Sequence, residues 1–171
     1  MRHRGFTLIE LMVAVAVLAI LLSIGVPAFG SMIDAQRLDN EAHRLMRSVQ
    51  FTRNEAVRRN RHVLMQPVNG SWTNGWVVFL DDDRNGQHDP DDPLLRVEGP
   101  AGAVIHANGS LTGYVRYNSQ GESELLNGGF LSGTFSLCPR QPGVEARQLV
   151  INRVGRVRMQ RAEPAAGNCP E

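Results

Sequence analysis

Six arginines, Arg140, Arg147, Arg153, Arg156, Arg158 and Arg161, fall within residues 140–161, where the only carboxylate is Glu145. Guanidinium groups stay charged at any physiological pH and fork onto phosphate oxygens two bonds at a time, so such a cluster is chemistry for holding an anion. If 156–160 is a strand, its period of two puts Val157 and Met159 on one face and Arg156, Arg158 and Gln160 on the other. Gly155 permits a tight turn just before it, with Arg153 at the bend and Arg161 past the strand's end, so several guanidinium groups could converge on one edge. The competing explanation is that solvent-facing strand positions favour long polar side chains, and all 18 Lys+Arg residues of this chain are arginine. A net charge of +1 over 171 residues excludes a globally cationic nucleic-acid binder, so any basic surface is local.

Residues 81–92 raise the possibility of a cation, because Asp81, Asp83, Asn85, Gly86 and Asp89 match the early positions of a twelve-residue calcium loop. Position twelve is Asp92 rather than a bidentate glutamate, Pro90 stiffens the end, and Asp-Asn-Gly runs also serve any hairpin turn. No metal is assigned. Arg53, Arg58, Arg59 and Arg61, with His62, end a helical stretch, where the dipole favours cations. There is no phosphate-cradling glycine motif, histidine pair at ligand spacing or serine in a nucleophile elbow, so no enzyme, catalytic residue or cofactor is expected. His43, His62, His88 and His106 are scattered and read as solvated or core histidines.

The elements that must position these groups begin with an apolar segment over 6–29, preceded by Arg2 and Arg4. At 1.5 Å per residue it is about 36 Å long, enough for a bilayer core of about 30 Å, and the flanking charges place the remainder of the chain outside the cytoplasm. Glu10 stands at its entrance, although a carboxylate inside a span costs roughly 2.5 to 3.5 kcal/mol, so it needs a partner. Beyond the segment, Leu38, Ala42, Leu45, Val49, Thr52 and Ala56 repeat at spacings of 4 and 3, one face of a helix reaching to about Asn60. Arg37, Glu41, Arg44, Arg47 and Arg58 lie opposite and predict a wet face, while Gly25 and Pro27 predict a kinked or loosened helix. Short apolar or alternating runs follow at 63–66, 76–80, 94–98, 103–106, 114–118, 134–138, 148–152 and 156–160, divided by Gly, Asn, Pro and Asp. The fold class is α+β: a long N-terminal helix, half membrane and half amphipathic, packed on an antiparallel β-sheet.

The hexapeptide Gly5-Phe6-Thr7-Leu8-Ile9-Glu10 resembles the cleavage and methylation motif of type IV pilins and type II secretion pseudopilins. The runs 76–86 and 150–158 resemble the FimT/FimU/GspH group of minor pilins, FimT-type members most of all. The resemblance implies cleavage after Gly5 by a prepilin peptidase, methylation of the new amino group of Phe6, and a Glu10 carboxylate that meets a neighbouring subunit's N-terminal amine in a filament of pilins. It implies a leader over 1–5, a transmembrane and filament-core helix over 6–29, and a periplasmic, then extracellular, domain over 30–171 that includes the amphipathic helix. The chain is then a single-pass protein of the bacterial inner membrane before it joins a pilus.

Gly155-Arg156-Val157-Arg158 resembles the glycine-arginine-any-arginine motif of FimT-type pilins. Carried over, Arg156 and Arg158 contact the phosphates of double-stranded DNA during uptake in natural transformation. Arg153, Arg161 and Arg140 extend that set. No obvious aromatic run accompanies them, so the expected binding is weak, salt-sensitive and indifferent to base sequence. The alternative is a structural minor pilin or a type II secretion pseudopilin, FimU-like or GspH-like, without DNA binding. Cys138 and Cys169 fall in the part expected outside the cytoplasm, an oxidising place where an even count favours a disulfide over a reactive or metal-binding pair.

Overall fold

The computed structural model describes residues 7–163 and Cys169, with the backbone alone for 24–28. Gly5 and Phe6, and with them the leader, lie outside the described residues.

Helix α1, Leu8–Arg59, opens on Thr7, whose hydroxyl accepts from the Glu10 amide at 3.3 Å while the Glu10 carboxylate accepts from the Thr7 amide at 3.4 Å. This reciprocal cap satisfies two of the donors that every helix start leaves free. No glycine or proline occurs between Gly30 and Asn60. At the far end Asn60 adopts the left-handed region, φ 54°, and its amide closes the last turn. The backbone is helical without a break through Gly25 and Pro27. Leu8, Ile9, Leu11, Met12, Val13 and their apolar neighbours to Leu22 are exposed. The expected span over 6–29 includes residues outside the description; among the described residues no helix is long and apolar enough to cross a membrane.

From Leu38 onward the same helix is the cover of the domain. Leu38, Ala42, Leu45, Val49 and Ala56 are wholly buried, and Thr52, buried with them, satisfies its hydroxyl on the Ser48 carbonyl at 2.8 Å. The opposite face is less wet than its charges predict. Arg44 lies 5.0 Å from the Trp76 ring centroid and bonds Glu98 at 3.0 Å and Glu41 at 3.2 Å, because its aliphatic stem covers apolar surface while its head stays paired.

Eight strands follow: β1 Val63–Pro67, β2 Trp76–Leu80, β3 Leu94–Glu98, β4 Val104–Ala107, β5 Val115–Tyr117, β6 Gly133–Cys138, β7 Ala146–Ile151 and β8 Val157–Ala162. They form two four-stranded antiparallel sheets, β3-β2-β1-β5 and β4-β6-β7-β8, where the sequence predicts one. The chain first leaves the first sheet after β3, at Gly99 and Pro100, where proline has no amide to continue a ladder; β4 pairs with β6, while β5 returns to pair with β1. α1 contacts β1 and β5 of the first sheet and β6, β7 and β8 of the second, so one helix buries the apolar face of both. Trp72 joins them, edge-on to Phe135 at 5.0 Å, with its indole donating to the Leu111 carbonyl at 2.7 Å.

Most carboxylates of the acidic connection between β2 and β3 are taken up by the connection's own amides and by arginines beside it. Asp81, 1% exposed, accepts from the Gly86 amide and faces Arg116 at 3.4 Å; Asn85 donates to Asp83 and Asp89; Asp92 accepts from the Asp89 amide. Burial pushes the Asp81 carboxyl up and outweighs the Gly86 bond and the Arg116 charge. The same burial, aided by Arg116, pushes His62 down.

Candidate functional site

The hairpin between β7 and β8 turns through residues 152–156. Asn152 shapes it: its side chain accepts from the Arg156 amide at 2.9 Å, its own amide donates to the Arg156 carbonyl at 3.1 Å, and its carbonyl accepts from Gly155 at 2.9 Å. Gly155 sits at φ +75°, and a Cβ there would stand 2.5 Å from the Gly121 carbonyl oxygen and 2.7 Å from Cε1 of Tyr117. Only glycine fits on both counts.

Three side chains tie this turn to the first sheet and the helix. The Tyr117 hydroxyl donates to the Gly155 carbonyl at 2.9 Å, and burial pushes that phenol well above its ordinary range. The Ser123 hydroxyl lies between the carbonyls of Asn152, 3.0 Å, and Leu131, 2.7 Å. Arg53 reaches from α1 to the carbonyls of Gly121 at 2.8 Å and Val154 at 3.3 Å. Sequence reasoning assigned Arg53 to a helix-end charge strip and missed Tyr117 and Ser123, since none of their partners is near in sequence. Arg58 and Arg59 of that strip pair with Glu55, whose carboxyl the Arg58 hydrogen bonds hold low, and Arg61 pairs with Asp82.

Arg153 and Arg156 on this turn and Arg158 at the start of β8 are exposed, and among the described residues none has an ion-pair partner. Arg156 stands just before β8 rather than in it. Arg158 projects from the outer face, opposite the buried Val157. The other expected members do not join them. Arg161 is opposite Arg147 in the β7–β8 ladder, on the side that faces α1, with Asp39 and His43 lining the same depression. Arg140 lies beyond Cys138, at the opposite end of the sheet from the hairpin, and donates to the Gly102 carbonyl at 3.2 Å. Six residues of strand at about 3.4 Å each separate the two ends by roughly 20 Å.

Arg147 leaves the patch altogether. It is 3% exposed and bonds Asp39 at 2.5 and 3.2 Å and the Glu145 carbonyl at 2.6 Å. The hydrogen bonds from Arg147 hold the Asp39 carboxyl below its usual range and raise the guanidinium in return. An aromatic ring, unexpected from the sequence, does accompany the turn: the Arg153 guanidinium carbon is 5.8 Å from the centroid of Phe130.

Cys138 and Cys169 are joined in a disulfide across a sequence separation of 31. Among the described residues no group of three or more His, Cys, Asp or Glu could hold a metal ion.

A helix exposed and apolar over its first half, with a second half that covers antiparallel sheets, defines the pilin-like class of fold. The type IV minor pilin FimU of Pseudomonas aeruginosa (strain PAO1) shares it in two crystal structures: TM-scores 0.55 and 0.56, 19% and 21% identity, 71% and 73% of this chain covered, and 91% and 89% of those chains. The minor pseudopilin EpsH from the type 2 secretion system of Vibrio cholerae shares it at a TM-score of 0.50 and 14% identity, over 73% of this chain and 97% of that one. Residues 1–26 match the prokaryotic N-terminal methylation motif. Residues 41–155 match the type II transport protein GspH family, and the chain belongs to that family.

Among curated proteins, the pilin-like protein PilA1 of Thermus thermophilus is 34% identical over 90 residues, 53% of this chain and 56% of the relative. Type II secretion system protein H of Pseudomonas aeruginosa (strain PAO1) is 41% identical over 58 residues, 34% of each. The chain thus spans about half the length of the first relative and a third of the second.

Proposed function

We propose that this protein is a minor pilin that assembles with other pilins in a filament and holds double-stranded DNA, through its phosphates, on the β7–β8 hairpin during uptake. The supporting observation is the contrast among its arginines. Arg37, Arg44, Arg58, Arg59, Arg61, Arg96, Arg116 and Arg147 are paired with carboxylates; Arg47, Arg84 and Arg161 are exposed without an ion pair but lie apart from one another, whereas Arg153, Arg156 and Arg158 stand exposed and unpaired, among the described residues, together on a braced turn and the start of β8. The braced backbone fixes where these side chains start, so less of the chain has to be ordered when a phosphate binds.

The methylation-motif match supports the N-terminal part of this proposal. The leader 1–5 is removed by the prepilin peptidase, Phe6 is methylated, and 6–29 anchors the chain in the bacterial inner membrane before assembly. The domain over 30–171 then stands in the periplasm and later outside the cell. In the free chain Glu10 caps its own helix, so a contact with a neighbour's amine exchanges one charge-assisted bond for another.

The test uses the full chain in detergent micelles, titrated with labelled duplex at low and high salt beside Arg156→Gln/Arg158→Gln. Removal of two phosphate contacts should lower the slope of log affinity against log salt by about 2. A folded wild-type chain that binds no duplex at low salt would refute the holding of double-stranded DNA. The better account would then be the structural subunit without DNA, in a pilus or a type II secretion machine.

A further inference from the structure

Phe130 is 64% exposed, and its position follows from the chain around it. Residues 124 and 130 pair as an isolated antiparallel bridge, the Leu125 amide bonds the Gly129 carbonyl at 2.7 Å, and the Leu131 amide bonds the Ser123 carbonyl at 3.1 Å. Leu131 is wholly buried, and in extended backbone the preceding side chain points the opposite way, into solvent. The ring therefore has no role in the core, and the chain that carries it is held on both sides. The single Ser123 hydroxyl proton is shared between the Leu131 and Asn152 carbonyls, 2.7 and 3.0 Å away, which ties the Phe130 segment to the arginine turn. The Arg153 guanidinium carbon lies over the ring, 5.8 Å from its centroid, and the ring remains largely open to solvent. Two carboxylates are near: Glu124, across the bridge from Phe130, is paired with Arg116 at 3.4 Å, and Glu122 lies on the adjoining turn, where Asn118 donates to it at 3.5 Å.

An exposed aromatic face beside unpaired guanidinium groups is the combination that single-stranded nucleic acid uses, with bases stacked on the ring and phosphates tracked by cations. A paired base in a duplex cannot reach such a ring, whereas an unstacked base at a strand end or a single-stranded stretch can. We infer that Phe130 is a base-stacking platform that makes the hairpin prefer single-stranded DNA over duplex. This rests on the DNA-holding proposal above, of which it names the favoured substrate. Complementarity to phosphate, from Arg153, Arg156 and Arg158, favours this occupant over an apolar segment of another subunit.

The experiment compares three labelled probes on the full chain in detergent micelles: a short oligothymidylate, an abasic deoxyribose-phosphate strand of equal length, and a duplex. Wild type should bind the oligothymidylate about tenfold more tightly than the abasic strand. Phe130→Ala should erase that difference and leave duplex affinity within about twofold, while Arg156→Gln/Arg158→Gln weakens all three. Circular dichroism checks that each variant is folded, which the exposure of all three side chains predicts. If wild type binds both strands equally, if it binds the duplex at least as tightly as the oligothymidylate, or if Phe130→Ala keeps the preference, the stacking platform is overturned, and arginine-dependent duplex binding would still uphold the phosphate contact. If the folded chain binds none of the probes, both proposals fall.

Discussion

Asp39→Asn tests whether Arg147 is part of the framework rather than of the basic surface. The substitution keeps the shape and one acceptor oxygen but removes the charge that faces a guanidinium only 3% exposed. Breaking a fully buried pair costs about 3–5 kcal/mol, and breaking an exposed one about 0–1 kcal/mol. Asp39 is 26% exposed, so water reaches its side of the pair, and the Glu145 carbonyl still accepts from Arg147; a loss of about 2 kcal/mol follows. For a domain of this size that lowers Tm by roughly 5–8 °C.

The difference between wild type and variant also has a defined pH course. The Asp39 carboxyl is held below its unfolded value by the Arg147 hydrogen bonds, so the unfolded chain takes up a proton first as the pH falls. The stabilisation is complete above the ordinary carboxylate range and is lost as the pH falls through the lower, folded value. The amide of the variant has no such proton to bind, so the two Tm curves should converge in acid. Thermal melts of both full-length chains from neutral to acidic pH provide the comparison. A gap that is the same in acid as at neutral pH, or one under about 0.5 kcal/mol at neutral pH, would show that the pair contributes nothing as an ion pair.

Gly155→Ala should cost at least about 2 kcal/mol, from the left-handed backbone and the contact with the Gly121 carbonyl, and should weaken DNA binding although no arginine is touched. Denaturant unfolding and the duplex titration read the two effects together. Cys138→Ser/Cys169→Ser should lose about 3.7 kcal/mol by loop-closure entropy. The melt should match that of the reduced wild type; a clearly lower midpoint for the variant would mean that the serines harm packing instead.

Much of this protein is local in origin and so was open to reading from the chain. The helix face Leu38, Ala42, Leu45, Val49 and Ala56 is legible because burial repeats every 3.6 residues, and each of those side chains is wholly buried. β2 and β3 fall where short apolar runs lie between turn residues, and the turn ahead of β8 is announced by Gly155. The hexapeptide over 5–10 points to the pilin group because consecutive residues carry its signal, and the methylation-motif match over residues 1–26 agrees with it. The candidate site was half legible: Arg156 and Arg158 stand exposed at the turn, while Arg140 and Arg161, equally plausible in sequence, end on another end and another face.

Composition and periodicity by themselves determined a long amphipathic helix, an antiparallel α+β domain and an arginine-rich terminal segment. Only the tertiary structure decided which arginines are available. Arg147 and Arg158 have the same charge and both sit in strands, yet one meets Asp39, 108 residues earlier, and the other meets water. It likewise decided that two sheets share one helix, and that Phe130 stands beside Arg153. The physical reason is range: propensity and hydrophobic period act over a few residues, whereas an ion pair or a ring contact depends on which distant segments the packed core brings within about 4–6 Å.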